Sequence, residues 1–329
     1  KERQPAAVKF FNESQEKAMR LDESRQPALL EPSIVSVHNM ELDDVLFRFE
    51  WDHEVSITAL GSYQVGKQKV SSQHRTLPVH LALSLLCRDK RLAWTVQVNS
   101  IAVGPPDTIV RFDAAARNYH QRQAEIAKLP APIGKRMQEL TLAEFSESPV
   151  EDVMAYFSDL HEICIAVDGR ALPANGAEDK DLYWTSMTER GIPLAWGIMR
   201  AISQTPLDWW CDGEVIYISN EEGLREIKQR VGRREQARKE YPDNLRVTLA
   251  KAYPLTSRYG TKLIQITDSI TKESGLVVRF DELIEIGELP VPTSNVYANA
   301  PLDKALDMLM REVRLAWRIV DGEIVIEKP

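Results

Sequence analysis

Residues 61–67 read Gly61-Ser62-Tyr63-Gln64-Val65-Gly66-Lys67, which sets two glycines and a lysine at the spacing of a phosphate-binding loop. In such a loop backbone N–H groups cradle the phosphates, and the Ser or Thr after the lysine holds magnesium. Here Gln68 stands in that place, and Lys69-Val70-Ser71-Ser72 does not open a helix whose N-terminus could attract an anion. The stretch is expected to be a loop between two strands, with no cofactor. His38, His53, His74 and His80 fall close together in sequence. None has the His-x3-His or His-Glu-x2-His spacing that would bring two imidazoles to one metal. His161-Glu162 stands at the end of a predicted helix, where a solvated or capping role is expected. A Gly-x-Ser-x-Gly nucleophile elbow does not occur in the sequence. Carboxylates are plentiful, but sequence alone does not pair them across a cleft. No catalytic, cofactor-binding or metal-ligating residue is assigned, and the chain is expected not to be an enzyme.

Three cysteines, Cys87, Cys164 and Cys211, are too few for a disulfide framework and form no Cys-x2-Cys pair for zinc. Cys164 and Cys211 both fall in predicted strands of one domain, so a bridge between them is geometrically open; small buried hydrophobes are the expected role. The 329 residues carry 49 acidic and 41 basic side chains, a net charge of −8 that argues against a nucleic-acid surface. No apolar run approaches the ~18 residues needed to cross a bilayer. The chain begins at Lys1 rather than Met, so a signal peptide, tag or longer region is expected ahead of it.

The elements that would position any site are repeated. Three stretches carry Pro-Leu or Pro-Val, a helical apolar pattern, Leu-x-Trp and a last hairpin strand: Pro78 to Trp94, Pro193 to Trp209, and Pro301 to Trp317. Proline to tryptophan is 16 residues in each. Proline at a first helical turn loses no hydrogen bond and pre-sets φ. A small residue four places on (Ala82, Gly197, Ala305) would let the helix approach a sheet closely. Asp212-Gly213-Glu214 and Asp321-Gly322-Glu323 read as hairpin turns, with Asn99-Ser100 in that role in the first stretch. The three tryptophans are expected in equivalent buried positions.

Upstream, Leu42-Asp43-Asp44-Val45-Leu46, Phe49 and Glu54-Val55-Ser56-Ile57 recur 108 residues later as Val150-Glu151-Asp152-Val153-Met154, Phe157 and Glu162-Ile163-Cys164-Ile165. Acidic residues at the start suit the positive end of the helix dipole. The third stretch departs: Val247-Thr248-Leu249 reads as its first strand, and a longer helix surrounds Lys262 to Ile266.

The expected fold is α+β: three tandem β-α-β-β-α-β-β modules joined by charged helices. The boundaries read as an N-terminal helical lead over 1–30, module 1 over 31–108, and a linker helix over 109–135. Module 2 follows over 136–222, a basic linker helix over 223–244, and a divergent module 3 over 245–329. Glu226/Arg230 and Glu235/Lys239 at i,i+4 suit a solvated spacer helix in the second linker.

These residues resemble the short N-terminal domain shared by secretins and TonB-dependent receptors. Its Φ-x-Asp-Val-Φ-x-x-Φ, Pro-Leu-x-x-Ala-Leu-x-x-Leu, Leu-x-Trp and Gly-turn hairpin are matched over residues 31–108 and 136–220, and less fully over 246–329. Residues 247–255 also look like the opening of the neighbouring ring-building domains of secretins. The resemblance implies a bacterial cell envelope or periplasmic location, docking between proteins, and often ring assembly. No pore sequence follows within the 329 residues, and the chain is expected not to be itself a secretin channel. The function expected is that of a non-enzymatic subunit of an oligomeric, ring- or pore-associated assembly, its partners being itself and other envelope proteins. The alternative is a periplasmic signalling or ligand-binding module that docks a receptor or regulator. Gly61 and Lys67 in one loop, and Asn175 and Asp179 in the acidic loop over 171–181, are the expected interface residues, because loops on a fixed scaffold diverge and bind.

Overall fold

The computed structural model describes residues 26–60, 63–97, 100–173, 183–252, 256–257, 261–282, 284, 295–296 and 300–329. The helix expected near residues 10–21, and the loop residues Gly61, Asn175 and Asp179, lie outside them. The described chain is α+β. Its first elements are α1 (Gln26–Leu30), β1 (Pro32–Glu41), α2 (Leu42–His53), β2 (Ser56–Ala59), α3 (Tyr63–Gly66), β3 (Lys69–Pro78), α4 (Val79–Asp89), β4 (Ala93–Gln97) and β5 (Ser100–Gly104). Then come α5 (Pro106–Ile126), α6 (Ala131–Gln138), β6 (Leu140–Pro149), α7 (Val150–His161), β7 (Cys164–Val167), a 3-10 turn (Gly169–Ala171), β8 (Trp184–Pro193), α8 (Leu194–Ile202), β9 (Asp208–Cys211) and β10 (Val215–Ser219). The last are α9 (Glu221–Arg238), α10 (Asp243–Leu249), β11 (Thr256–Ser257), α11 (Leu263–Ser274), β12 (Val278–Phe280), β13 (Asn295–Val296), α12 (Leu302–Glu312), β14 (Ala316–Val320) and β15 (Glu323–Glu327).

The chain forms two compact units, and neither follows the expected module boundaries. The first takes the chain through Lys128, with Met137–Ser148 and Trp184–Gln204. The second takes Leu129–Arg136, Pro149–Tyr183 and Thr205–Pro329.

In the first unit, sheet β2-β5-β4 pairs β2 parallel and β4 antiparallel to β5. Ile57, Trp94, Val96, Ile101 and Val103 point from it into a core shared with α2 and α4. The other face carries Ser56, Thr58, Thr95, Ser100 and Ala102, all buried. Helix α5 lies against β4 and β5 on one side and α8 on the other. Thr95 donates to Asp113 of α5 (3.0 Å). The ribbons β1-β3 and β6-β8 complete the unit, with β8 running beside β2.

The second unit holds two sheets with the same strand order and senses, β7-β10-β9 and β12-β15-β14. Cys164, Ala166, Val215 and Tyr217 of the former join Leu224, Ile227 and Val231 of α9 and the apolar residues of α12 in one core. Trp317, Ile324 and Ile326 of the latter enter the same core. Its opposite face is ionic: Arg318 reaches Glu327 (2.7 Å), and Arg279 pairs with Glu323. Strands β14 and β15 are joined by Asp321 (φ 52°) and Gly322 (φ 83°) between the paired Val320 and Glu323. Positive φ at both positions is the type I′ turn that matches strand twist, which the Asp-Gly dipeptide supports.

Three expectations are corrected. Residues 247–249 are helical, the end of α10, not a strand. Pro242 (φ −55°, ψ 150°) caps this helix, and Leu245 and Leu249 bury at i,i+4, which outweighs the β-branched pair Val247-Thr248. The same helix stands where the resemblance to a ring-building domain placed an opening strand. The second linker is not a solvated spacer: Leu224, Ile227 and Val231 of α9 are buried, and Glu226 is engaged by Arg311 and Arg170. His161 is buried rather than solvated. The residue after it, Glu162, takes the left-handed C-cap position (φ 51°), as Glu54 does after α2 (φ 52°).

Candidate functional site

The three prolines sit one residue earlier than the first helical turn. Pro78, Pro193 and Pro301 are the N-caps of α4, α8 and α12, with φ between −59° and −53° and ψ between 139° and 143°. The next residue's N–H reaches back to a distant carbonyl each time: Val79 to Glu31 (3.2 Å), Leu194 to Glu139 (2.9 Å), and Leu302 to Lys251 (3.0 Å). Trp94, Trp209 and Trp317 are all buried on the strand that follows. Two of these indoles donate to a polar residue six places after the proline, Trp94 to Ser84 and Trp317 to Asp307, both at 2.7 Å.

The loop with phosphate-loop spacing contains the short helix α3. The Lys67 ammonium is held by Glu41 (2.7 Å), and Lys69 joins the same carboxylate (3.2 Å). These contacts hold the Glu41 carboxyl below its ordinary range. Gly66 backs onto the Asp43 carboxylate instead of a phosphate. Asp43 opens into a cleft of about 420 Å³ in the first unit, lined also by Asp44, Phe47, Glu50, Phe145 and Glu147. Burial pushes the Asp43 carboxyl up against the pull of Lys67, and Asp44 and Glu41 add to the rise. Acidic groups and aromatic walls suit a cationic, partly apolar ligand and would repel a nucleotide. Among the described residues no three His, Cys, Asp or Glu side chains converge as a metal site.

The most developed chemistry lies in two charged seams. In the first unit Arg200 of α8 pairs with Glu189 of β8 (3.3 Å), both enclosed. Trp196 donates to the same carboxylate (2.9 Å), and the guanidinium lies 5.5 Å from the centre of the Phe112 ring. Burial pushes the Glu189 carboxyl up and the Arg200 guanidinium down; each partner counteracts the other's shift. In the second unit α9 lies along α12, and all eleven residues of α12 are buried. Arg238 binds Asp303 (2.7 Å), and Arg234 binds Asp307 (3.0 Å) while stacking 3.5 Å above Trp317. Lys304 is held by Asp212 (2.8 Å) and Glu214. Burial works to lower the Lys304 ammonium, and Asp212 with Glu214 outweighs it.

Arg311 closes the far end of this seam. It binds the buried Asp168 and reaches Glu226 (3.1 Å), which also takes Arg170 (3.2 Å). Ser219 donates to the second oxygen of Asp168. Gly223 passes so close to Ser219 and Asp168 that a Cβ would collide with both side chains, and it would crowd Arg311. These partners lay outside the expected site residues. The signal available in sequence was a polar residue six places after Pro78 and Pro301, ten before each tryptophan.

No family model, curated protein or solved structure matches the chain.

Among the described residues, large apolar side chains are exposed at several places, among them Leu140 and Leu142 on β6 and pairs on two helices. On α2, Phe47 and Trp51 face solvent at i,i+4 spacing, Trp51 with 76% of its surface exposed. On α7, Tyr156 and Leu160 do the same.

Cys164 and Cys211 are free thiols on β7 and β9, the strands flanking β10. Cys164 lies opposite Val215 and Cys211 opposite Ile216, so two ladder steps of about 4.8 Å separate them, beyond the roughly 7 Å limit for a bridge. Burial pushes each thiol up to about 12. At pH 8 only about one in ten thousand of each would be thiolate. We expect both to resist iodoacetamide in the native protein and to react within minutes in urea. Mass mapping that finds native labelling of Cys164 would contradict this burial.

Proposed function

We propose that the three stretches are copies of one β-α-β-β-α-β-β docking module of the secretin and TonB-receptor kind. On this reading the protein is a non-enzymatic subunit of an oligomeric assembly in the bacterial cell envelope, on the periplasmic side. The observation that carries the docking role is an exposed apolar i,i+4 pair on the first long helix of two copies, Phe47 with Trp51 and, one position further on in the 108-residue register, Tyr156 with Leu160. Large exposed aromatics in clusters mark contact surfaces. Two linked weak contacts can exceed either alone by about 10²–10⁴ in affinity, which suits a lattice or ring. The partners are further copies of the chain and other envelope proteins.

Sedimentation velocity over a roughly hundredfold concentration range tests the reading. The native chain should gain mass with concentration, while Trp51→Lys combined with Leu160→Lys should remain monomeric. A native chain that stays monomeric throughout would sink the assembly role. The acidic cleft favours a second reading, a module that captures a cationic ligand. A Lys- and Arg-rich peptide should then bind the native chain and lose affinity when Asp44→Asn and Glu147→Gln are introduced.

A further inference from the structure

Helices α2 and α9 turn opposite charges to solvent. Along α2 and its C-cap, Asp44, Asp52 and Glu54 are exposed, with Arg48 between them. Phe47 and Trp51 stand outward on the same helix. Along α9 and its C-cap, Arg225, Lys228, Arg233 and Lys239 are exposed. The acid among them, Glu226, is already engaged by Arg311 and Arg170. Glu221 and Glu222 sit in the first turn, where the helix dipole favours them, and Glu235 lies to one flank.

Gly232 stands within this basic run, exposed and well inside the helix. Glycine in a helix interior costs stability relative to alanine, and is used where another group must come close to the backbone. The chain's own packing gives no reason for it: a Cβ placed there would meet no other part of the fold within 4 Å. The position is a notch in an otherwise basic face. On α2 the matching feature is a knob, since Trp51 has 76% of its surface in solvent.

We propose that Trp51 of one copy seats at Gly232 of a second copy, with α2 and α9 antiparallel. Each residue of a helix adds about 100° and 1.5 Å, which fixes what else must meet. With Trp51 at Gly232, Asp44 comes opposite Lys239, Asp52 beside Arg233, and Glu54 opposite Lys228. The parallel sense would instead set Arg48 against Lys228 and Asp52 against Glu235, so charge selects the antiparallel one. This contact rests on the assembly reading and names its two surfaces. It joins the first unit of one copy to the second unit of the next. Such a head-to-tail contact closes into a ring or runs on as a filament. Because exposed charges carry its register, association should weaken as salt is raised.

The test is a charge exchange in the full chain, followed by sedimentation velocity. Asp44→Lys/Asp52→Lys makes both faces basic, and Arg233→Glu/Lys239→Glu makes both acidic. Each variant alone should stay monomeric at concentrations where the native chain associates. An equal mixture should associate again, because each copy then meets a face of opposite charge. Gly232→Leu fills the notch without touching the fold. It should melt no lower than the native chain, yet associate at least about tenfold more weakly, as expected when a central tryptophan is displaced. Circular dichroism confirms that each variant is folded. A mixture that remains monomeric overturns the proposal, as does a folded Gly232→Leu chain that associates like the native one. Native association that the charge variants leave unchanged overturns this contact alone, whereas a native chain that is monomeric throughout overturns the assembly role with it.

Discussion

Arg200→Met is expected to destabilise the first unit by about 3–5 kcal/mol, because it strands Glu189 as an unpaired carboxylate in a site closed to water. That is a large share of the roughly 5–15 kcal/mol that holds a typical domain together. The methionine fills similar volume, so loss of packing against Phe112 is the smaller part of the effect. The stranded charge is the larger part, and a second change isolates it. Glu189→Gln removes the charge yet keeps an oxygen for the Trp196 indole. The double variant Glu189→Gln/Arg200→Met should therefore recover most of the loss, although neither change restores an ion pair. Urea midpoints followed by tryptophan fluorescence would measure this. A single variant costing under about 1 kcal/mol, with no recovery in the double, would show that the pair is not enclosed as described.

Arg311→Met should have a comparable effect in the second unit, again about 3–5 kcal/mol, since Asp168 would keep only Ser219 and the Arg170 N–H as partners. Asp168→Asn should rescue it. Glu226→Gln, on the same guanidinium but more than a third exposed, should cost under about 1 kcal/mol. Its contribution has a pH signature. Burial works to raise the Glu226 carboxyl, but Arg311 and then Arg170 outweigh it and hold the group below its ordinary value of 4.5. A carboxylate depressed on folding stabilises the fold above its unfolded value, and that stabilisation disappears as pH falls through the folded one. Acid titration of Arg311→Met should show a smaller acid-side loss than the native chain. An unchanged acid limb would place the effect on other carboxylates.

The features legible in sequence were the ones written in short spacings. The sixteen-residue step from proline to tryptophan, the helices over 42–53 and 150–161, and the Asp-Gly hairpin depend on neighbours a few residues apart. The seams were not legible for the opposite reason. Arg238 and Arg234 sit among charges at i,i+4 that suit solvent, and their acidic partners stand 65 and 73 residues further along. Asp303 and Asp307 likewise look like one side of an amphipathic helix, when both sides are enclosed. The cleft shows the same limit: Asp43 and Asp44 satisfy a helix dipole locally, and nothing near them announces Glu147. For residues 247–249, two β-branched neighbours suggested a strand, and the proline cap five residues upstream decided for helix.

The interleaving of the two units has a consequence for how the chain is made. The first sheet is complete at Gly104, but α8, which shares α5 with it, ends only at Ile202. At ribosomal speeds of about 5–20 residues per second, roughly 5–20 s pass between those points. For that interval the nascent protein carries α5 with its outward side unpaired and β2 without the ribbon that will run beside it. A translational pause between Gly104 and Ile202 would prolong an aggregation-prone intermediate, whereas one placed after Gln204 would give the first unit time to close before the remainder of the second, Thr205 onward, is synthesised.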